Sequence, residues 1–499
     1  MDLFALQNGS DIRGVAYGGA SPALTSEAAV RIGRAFALYI ADRLGREGVR
    51  VSIGRDPRIT GVQLLNDVSA GLRRGGADVV QFALASTPAM FMSTVKEGGY
   101  DGAVMITASH LPPDRNGMKF FVRGSGLEKR DIAAILDIAS AFDDCTAAPY
   151  APPYEDYMAE YSAHLCDIIR RGAKAEDYER PLLGYRIVVD AGNGGGGFFA
   201  HRVLKPLGAD VSHSVLLEPD GTFPNHSPNP EDHEAMAFLS QRTVEAGADM
   251  GIMFDPDVDR AAVVLSSGME VNRNRLVALL AAIALRSEPG GTIVTDSITS
   301  SGLGEFIRGL GGVHRRFKRG YRNVINEAVR LNAEGVRCPL AMETSGHAAL
   351  RENYFLDDGA YLVAKLLIEL ARCKRDGSSL EALIAGLNEP AERREVRLKL
   401  TGQDFKRDAA GALARFAELC EADPAVEPER ENYEGIRANM SEYEGWFLLR
   451  MSLHDPVMPL NIESDAAGGV KRIARHVLTM LKGMRAQGVD LSALEALAE

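Results

Sequence analysis

Gly247-Ala-Asp-Met-Gly-Ile-Met-Phe-Asp-Pro-Asp-Val-Asp-Arg260 is the stretch on which the reading of this chain turns. Its apolar middle, Met250 to Phe254, has the continuity of a strand buried on both faces, and it runs straight into a loop with carboxylates at alternate positions. In a turn, Asp255, Asp257 and Asp259 can converge on one hard divalent cation, and Arg260 can hold a substrate or its phosphate bidentately. A calcium EF-hand is a poor fit, because it wants Gly at the sixth position and Glu at the twelfth, where Arg260 and Ser266 stand. An aspartyl-nucleophile phosphatase motif is also a poor match, since Asp259-Arg260 does not resemble its usual continuation. The plainer alternative is a solvated acidic turn.

This run is the third of a set. YRIVVDAGNGG from Tyr185 and GADVSHSVLLEPDG from Gly208 precede it. The same order occurs upstream as VRVSIGRD (Val49 to Asp56), ADVVQFALASTP (Ala77 to Pro88) and DGAVMITASH (Asp101 to His110), and downstream as GTIVTDS from Gly291, GGVHRRFKRG from Gly311 and GVRCPLAMETSGH from Gly335. Three short apolar strands punctuated by Gly and helical segments therefore recur three times, which predicts α/β units whose sheets are covered on both faces. Ligands of such sheets bind beyond the carboxyl ends of the strands, and in each copy the third strand ends in a polar loop. These loops are Thr107-Ala-Ser-His110, Asp255 to Arg260, and Glu343-Thr-Ser-Gly-His347.

The totals agree with such a build. At 499 residues the chain exceeds what one core usually supports, so three or four domains are expected. The net charge of −12 argues against a nucleic-acid partner bound through a broad basic face, yet leaves room for a small anionic substrate in a cationic cleft. The longest apolar run, Leu276 to Leu285, is about half of what a membrane-crossing helix needs and reads as an amphipathic or buried helix. No secretory signal is evident at the amino terminus, and the five scattered cysteines read as reduced packing residues, so a cytoplasmic enzyme is expected.

Each loop suggests chemistry. Ser109 lies in a constrained turn that would project its hydroxyl, with His110 beside it and Lys119 offering positive charge for proton transfer or phosphate stabilisation. Glu343 and Ser345 suit adjacent sugar hydroxyls, Gly346 lets backbone approach a ligand, and His347 can shuttle a proton. Near the end, Trp446 to Arg450 reads as a strand delivering Arg450, Ser452, His454 and Asp455 into a loop; arginine and hydroxyl donors suit a phosphate, which Asp455 would repel unless turned away.

These residues resemble the α-D-phosphohexomutases over almost the whole chain. Thr107 to Lys119 is similar to that family's phosphoserine loop, Asp255 to Arg260 to its magnesium loop, Glu343 to His347 to its sugar-recognition loop, and Ser10-Asp-Ile-Arg-Gly14 to an N-terminal motif whose arginine, here Arg13, reaches the active site. Gly54-Arg-Asp-Pro-Arg58, Ser86-Thr-Pro88 and Asp190-Ala-Gly-Asn-Gly194 are supporting matches. The last loop departs from the pattern: Arg450, Ser452 and Pro456 keep the spacing, while His454 replaces a Thr and Leu453 a small residue.

The resemblance implies three similar α/β domains, at 1–152, 153–272 and 273–388, followed by a smaller α+β domain at 389–499, arranged around a central cleft. It implies interconversion of hexose 1-phosphate and 6-phosphate, with mannose and glucose as the first expectation, through phosphorylated Ser109 and a hexose 1,6-bisphosphate. Ser109, Arg13, Lys119 and His347 would be catalytic. Magnesium would be held by Ser109, Asp255, Asp257 and Asp259, and the phosphosugar by His110, Arg260, Glu343, Ser345, Arg450, Ser452 and His454. A phosphoglucosamine mutase, a metal-dependent sugar-phosphate phosphatase and a non-catalytic sugar-phosphate sensor are the alternatives.

Overall fold

A computed structural model describes residues 2–17, 23–143, 150–402, 404–452 and 455–499. The threefold repeat is visible in its strand order. In the first copy Arg50–Arg55 is central, with Asp78–Leu84 parallel on one side and Gly102–Ile106 parallel on the other. In the third copy Thr292–Thr295 is central between parallel Val313–Arg316 and Leu340–Met342. In the second, Ile187–Asp190 lies parallel to Met250–Phe254. Its other side carries only isolated bridges, Arg186 to Asp210 and Asp190 to Val215, in place of the expected full strand. The cause is local turn chemistry: Asp210 Oδ1 accepts from both the backbone N–H and the hydroxyl of Ser212, drawing the chain out of extended geometry.

An antiparallel partner then returns beside the third strand. Arg115–Val122 pairs with Gly102–Ile106, and Ala261–Leu265 with Met250–Phe254. Each hairpin tip is thus one of the polar loops singled out in the sequence. Asp11–Ala16 adds to the far side of Arg115–Val122, placing Arg13 opposite Gly117. Helices Ser26–Leu44 and Gly61–Arg74 cover this sheet and meet at glycine: a Cβ on Gly33 would stand 2.3 Å from the Val68 carbonyl oxygen, and one on Gly71 2.1 Å from that of Val30. No side chain fits at that crossing without moving a helix.

The chain forms two compact units, one running through Ile283 and including Ser345–Leu383, the other comprising Ala284–Thr344 and Ile384–Glu499. In the second unit an antiparallel sheet orders Glu392–Lys399, Val457–Ser464, Gly445–Leu449, Ile436–Met440 and Glu427–Pro428, with helices Phe405–Ala422 and Gly469–Leu481 on its apolar face. Trp446, the one tryptophan in the sequence, is buried there; its Nε1 donates to Glu463 at 2.9 Å. The Arg437 guanidinium stacks 3.4 Å from the centre of the indole ring and donates to the carbonyls of Ser297 (3.0 Å) and Thr299 (3.3 Å), tying this sheet to the loop after Thr292–Thr295.

Helix Arg273–Ser287 carries the run Leu276 to Leu285 largely buried, as the sequence suggested, and no described helix is long and apolar enough to cross a membrane. Cys166, Cys338, Cys373 and Cys420 are free and buried; Cys145 lies outside the described residues.

Candidate active site

The hairpin tips of the first two copies meet inside the first unit. Ser109 is held with φ +52°, a conformation non-glycine residues seldom adopt. Its N–H donates to Thr107 Oγ1 at 2.9 Å, and Thr107 in turn donates to Asp56 at 2.7 Å. The main brace is Arg58. Its buried guanidinium donates to four backbone carbonyls, those of Ser109 (2.5 Å), Leu111 (2.6 Å), Pro112 (2.7 Å) and Arg115 (2.9 Å), while Nε pairs with Asp56 at 3.2 Å. The strained serine is therefore imposed by a full set of partners around it.

Ser109 Oγ donates to Asp255 Oδ2 at 3.1 Å. Arg260 reaches the same carboxylate oxygen through Nε and Nη2, Ser109 Oγ at 3.3 Å, Asn229 Oδ1 at 3.1 Å and His110 Nδ1 at 2.8 Å. Because a guanidinium can only donate, His110 Nδ1 must accept, so the ring is neutral. Burial and the Arg260 charge push its pKa down to about 3, in agreement with the geometry.

The aspartate loop is pinned by its carbonyls. Pro256 O accepts from Gly195 N at 2.8 Å, Asp257 O from Thr87 N at 2.8 Å, and Val258 O from Gly359 N at 3.2 Å. Val258 consequently takes φ +65°, an outlier for a β-branched residue. Asp255, Asp257 and Asp259 are buried, with carboxylate oxygens within 4.8 Å of one another. Lys119 Nζ bonds Asp257 Oδ2 at 3.0 Å and Asp259 Oδ2 more closely. The Oδ1 atoms of Asp257 and Asp259 are buried with no hydrogen-bond partner.

Three buried carboxylates face Lys119 and Arg260, with His347 alongside paired to a fourth carboxylate, Asp357, and two oxygens of the aspartate loop are orphaned. Burial and the neighbouring Asp259 push Asp255 well above the usual carboxylate range. This donor set suits a small divalent cation: hard oxygens, an excess of negative charge, and one oxygen each of Asp257 and Asp259 left over for a metal.

His347 joins the cluster through a bridge between its backbone and that of Arg260, and its Nδ1 lies 2.5 Å from Asp357. Burial disfavours the imidazolium, but Asp357 and Asp259 outweigh it and raise the pKa to about 9. His347 is then cationic at neutral pH. The corresponding stability is fully present below pH 6.5, where the unfolded histidine is also charged, and is lost as pH rises through about 9. Ring 15N shifts recorded in metal-free protein should titrate near pH 9, and Asp357→Asn should bring the midpoint well down, because burial then meets less opposition. A wild-type midpoint at or below 6.5 would refute this assignment.

Comparison with known proteins decides the family. Phosphoglucomutase/phosphomannomutase alpha/beta/alpha domains I, II and III match residues 5–144, 159–268 and 272–389. The chain belongs to the phosphoglucomutase/phosphomannomutase family. It is 31% identical over 475 residues to a phosphoglucomutase of Neisseria gonorrhoeae, covering 95% of each chain, and 31% identical over 472 residues to a phosphomannomutase/phosphoglucomutase of Pseudomonas putida, covering 94% of each. A crystal structure of a family protein from Burkholderia thailandensis superposes with a TM-score of 0.79 at 28% identity, over 97% of this chain and 98% of that one. The protein is an isomerase of the phosphotransferase type, and its fold is the family's three α/β domains plus a fourth at the carboxyl end.

Other residues expected from the phosphohexomutase resemblance are placed as follows. Arg13 pairs with Asp11 at 2.8 Å, and its charge acts on His110. Ser345 is buried in the first unit. In the second unit Glu343 accepts from Gly320 N at 2.6 Å, and Thr344 donates to Asp296 at 2.8 Å. Arg450 there is buried, 3.9 Å from Glu434, with its Nε unpartnered. Ser452 N donates to Val457 O at 3.0 Å, and the exposed Asp455 faces Arg397 at 4.0 Å. His454 lies outside the described residues.

Sequence reasoning gave no role to Arg58, Thr87, Asn229 or Asp357. A signal existed for the last: Asp357-Asp358 precede helix Gly359–Arg375, and Asp358 alone caps it by accepting from Tyr361 N, leaving its neighbour for other work.

Proposed function

We propose that this phosphohexomutase-family enzyme interconverts hexose 1-phosphates and hexose 6-phosphates, with mannose and glucose as the sugars, by way of a phosphate carried on Ser109 and a hexose 1,6-bisphosphate. The observation that carries this reading is Ser109 Oγ 3.1 Å from Asp255 in a buried cluster with Asp257, Asp259, Lys119 and Arg260. The names of the relatives at 31% identity support the choice of sugars.

A magnesium ion held by Asp255, Asp257, Asp259 and the oxygen on Ser109 would draw charge from the transferring phosphoryl group. Arg260, which already reaches Ser109 Oγ, holds a phosphoryl oxygen there. As the phosphate leaves Ser109, the Ser109 Oγ–P bond breaks and Oγ takes up a proton, while the sugar hydroxyl gives up its proton as its oxygen bonds to phosphorus. The return transfer reverses this with the other phosphate of the bisphosphate. Protons are handled by Lys119, Arg13 and His347, with the cationic His347 as a donor. Glu343 and Ser345 read sugar hydroxyls, His110 contributes to holding the substrate, and Arg450, Ser452 and His454 grip the phosphate that is not reacting.

The test is a magnesium-dependent panel with mannose, glucose and glucosamine 1-phosphates, each with a trace of its 1,6-bisphosphate. Conversion of the mannose and glucose compounds to 6-phosphates, abolished by chelation, is expected. Stoichiometric release of inorganic phosphate, or no turnover with any sugar, would overturn the reading; preferential use of the glucosamine compound would reassign the substrate.

A further inference from the structure

Ser86, Thr87 and Pro88 open the buried helix that begins at Thr87, and their division of labour is unusual. Ser86 Oγ accepts from Ala89 N and caps the helix. Pro88 has no N–H to satisfy. Thr87 turns both of its donors away from the helix and onto one residue 170 positions later: its N–H reaches Asp257 O at 2.8 Å, and its Oγ1 reaches Asp257 Oδ2 at 2.6 Å. Lys119 Nζ approaches that same Oδ2 at 3.0 Å, and Oδ1 is buried without a partner.

We infer that Thr87 is a positioning residue for the metal: by gripping Asp257 at both its carbonyl and Oδ2, it fixes the carboxylate so that Oδ1 alone is presented to the cation. The inference rests on the metal reading above. One-oxygen ligation matters because magnesium demands near-octahedral order, which a freely rotating or two-oxygen carboxylate would spoil. A hydrogen bond to the non-ligating oxygen is the usual way a protein orients such a ligand, and losing one typically weakens metal binding by about 10- to 100-fold. Both hydroxyl and amide of Thr87 lie in the first repeat and the aspartate in the second, so the contact also sets the aspartate loop against the serine loop.

Direct Mn2+ binding, followed by the electron paramagnetic resonance signal of the free ion, tests this without reference to turnover. Thr87→Val keeps the shape and removes the hydroxyl, and should weaken Mn2+ binding by about 10- to 100-fold. Thr87→Ala should do the same with no added volume. Thr87→Ser should restore binding to within a few-fold of wild type, an outcome that a purely packing role for the threonine methyl would not give. Val and Ala variants that bind Mn2+ as tightly as wild type, or a Ser variant as weak as they are, would overturn the inference alone. A wild-type protein that takes up no Mn2+ would overturn the metal reading and this inference with it.

Discussion

Ser109→Ala should lower kcat for sugar-phosphate isomerisation by at least about a thousand-fold, the order expected when a covalent nucleophile is removed from machinery that acts as a unit. The loss should come without unfolding. The loop is held by main-chain groups of residue 109, its N–H to Thr107 and its carbonyl to Arg58, and both survive the substitution. Alanine at φ +52° is no more strained than serine, and among the described residues the hydroxyl lost makes its bonds to His110, Asp255 and Arg260. Steady-state kinetics beside a thermal melt would check both halves. Intact-mass spectrometry adds a third readout: the wild type should accept a phosphate from a hexose 1,6-bisphosphate, and the alanine variant should not. A variant that kept a tenth of the activity would remove Ser109 from the mechanism.

Arg58→Leu should cost about 3–5 kcal/mol of stability, the range for breaking a buried ion pair by deleting one partner. The physical reason is the debt left behind. Asp56 becomes a buried carboxylate without its counter-charge, and four carbonyls lose a donor in a place closed to water. Asp56 already has a pKa raised to about 6 by burial, which Arg58 and Thr107 only partly offset, so its protonation would soften the loss at acid pH. Arg58→Lys should recover little, because one ammonium cannot span four carbonyls that a planar fork reaches together. Chemical denaturation measures the first effect. If the leucine variant were within 1 kcal/mol of wild type, the guanidinium would not be what holds the serine loop.

Much of this was legible in the chain because the relevant signals are local. Continuous apolar runs such as Gly102–Ile106 and Met250–Phe254 end abruptly, the first in a polar loop and the second in a charged one, and a buried strand meeting a ligand-binding loop looks like that in any order of reading. Asp255, Asp257 and Asp259 lie within five residues, and the fold had only to curl them inward. The braces were less legible for the opposite reason. Thr87 acts on a residue 170 positions away and Arg58 on a loop more than fifty away, so nothing in their immediate surroundings states what they hold. The misread strand after Gly208 is a third kind of case, in which an apolar-looking run is undone by one Asp-x-Ser turn. The pairing of His110 with Arg260 shows a fourth: the sequence suggested a substrate contact for His110, and only the guanidinium that the fold brings to its Nδ1 fixes the ring as neutral.

The indole of Trp446 gives this enzyme an intrinsic optical label confined to one of its two units. Because the sequence holds no second tryptophan, emission excited selectively from that ring reports on the unit built from Ala284–Thr344 and Ile384–Glu499, where the ring lies under Arg437, and is blind to melting of the unit that carries Ser109. Far-ultraviolet circular dichroism sees both. If the two signals trace one curve in denaturant, the units unfold together; if they part, the gap between the midpoints is the difference in their resistance to denaturant, obtained without any engineered dye.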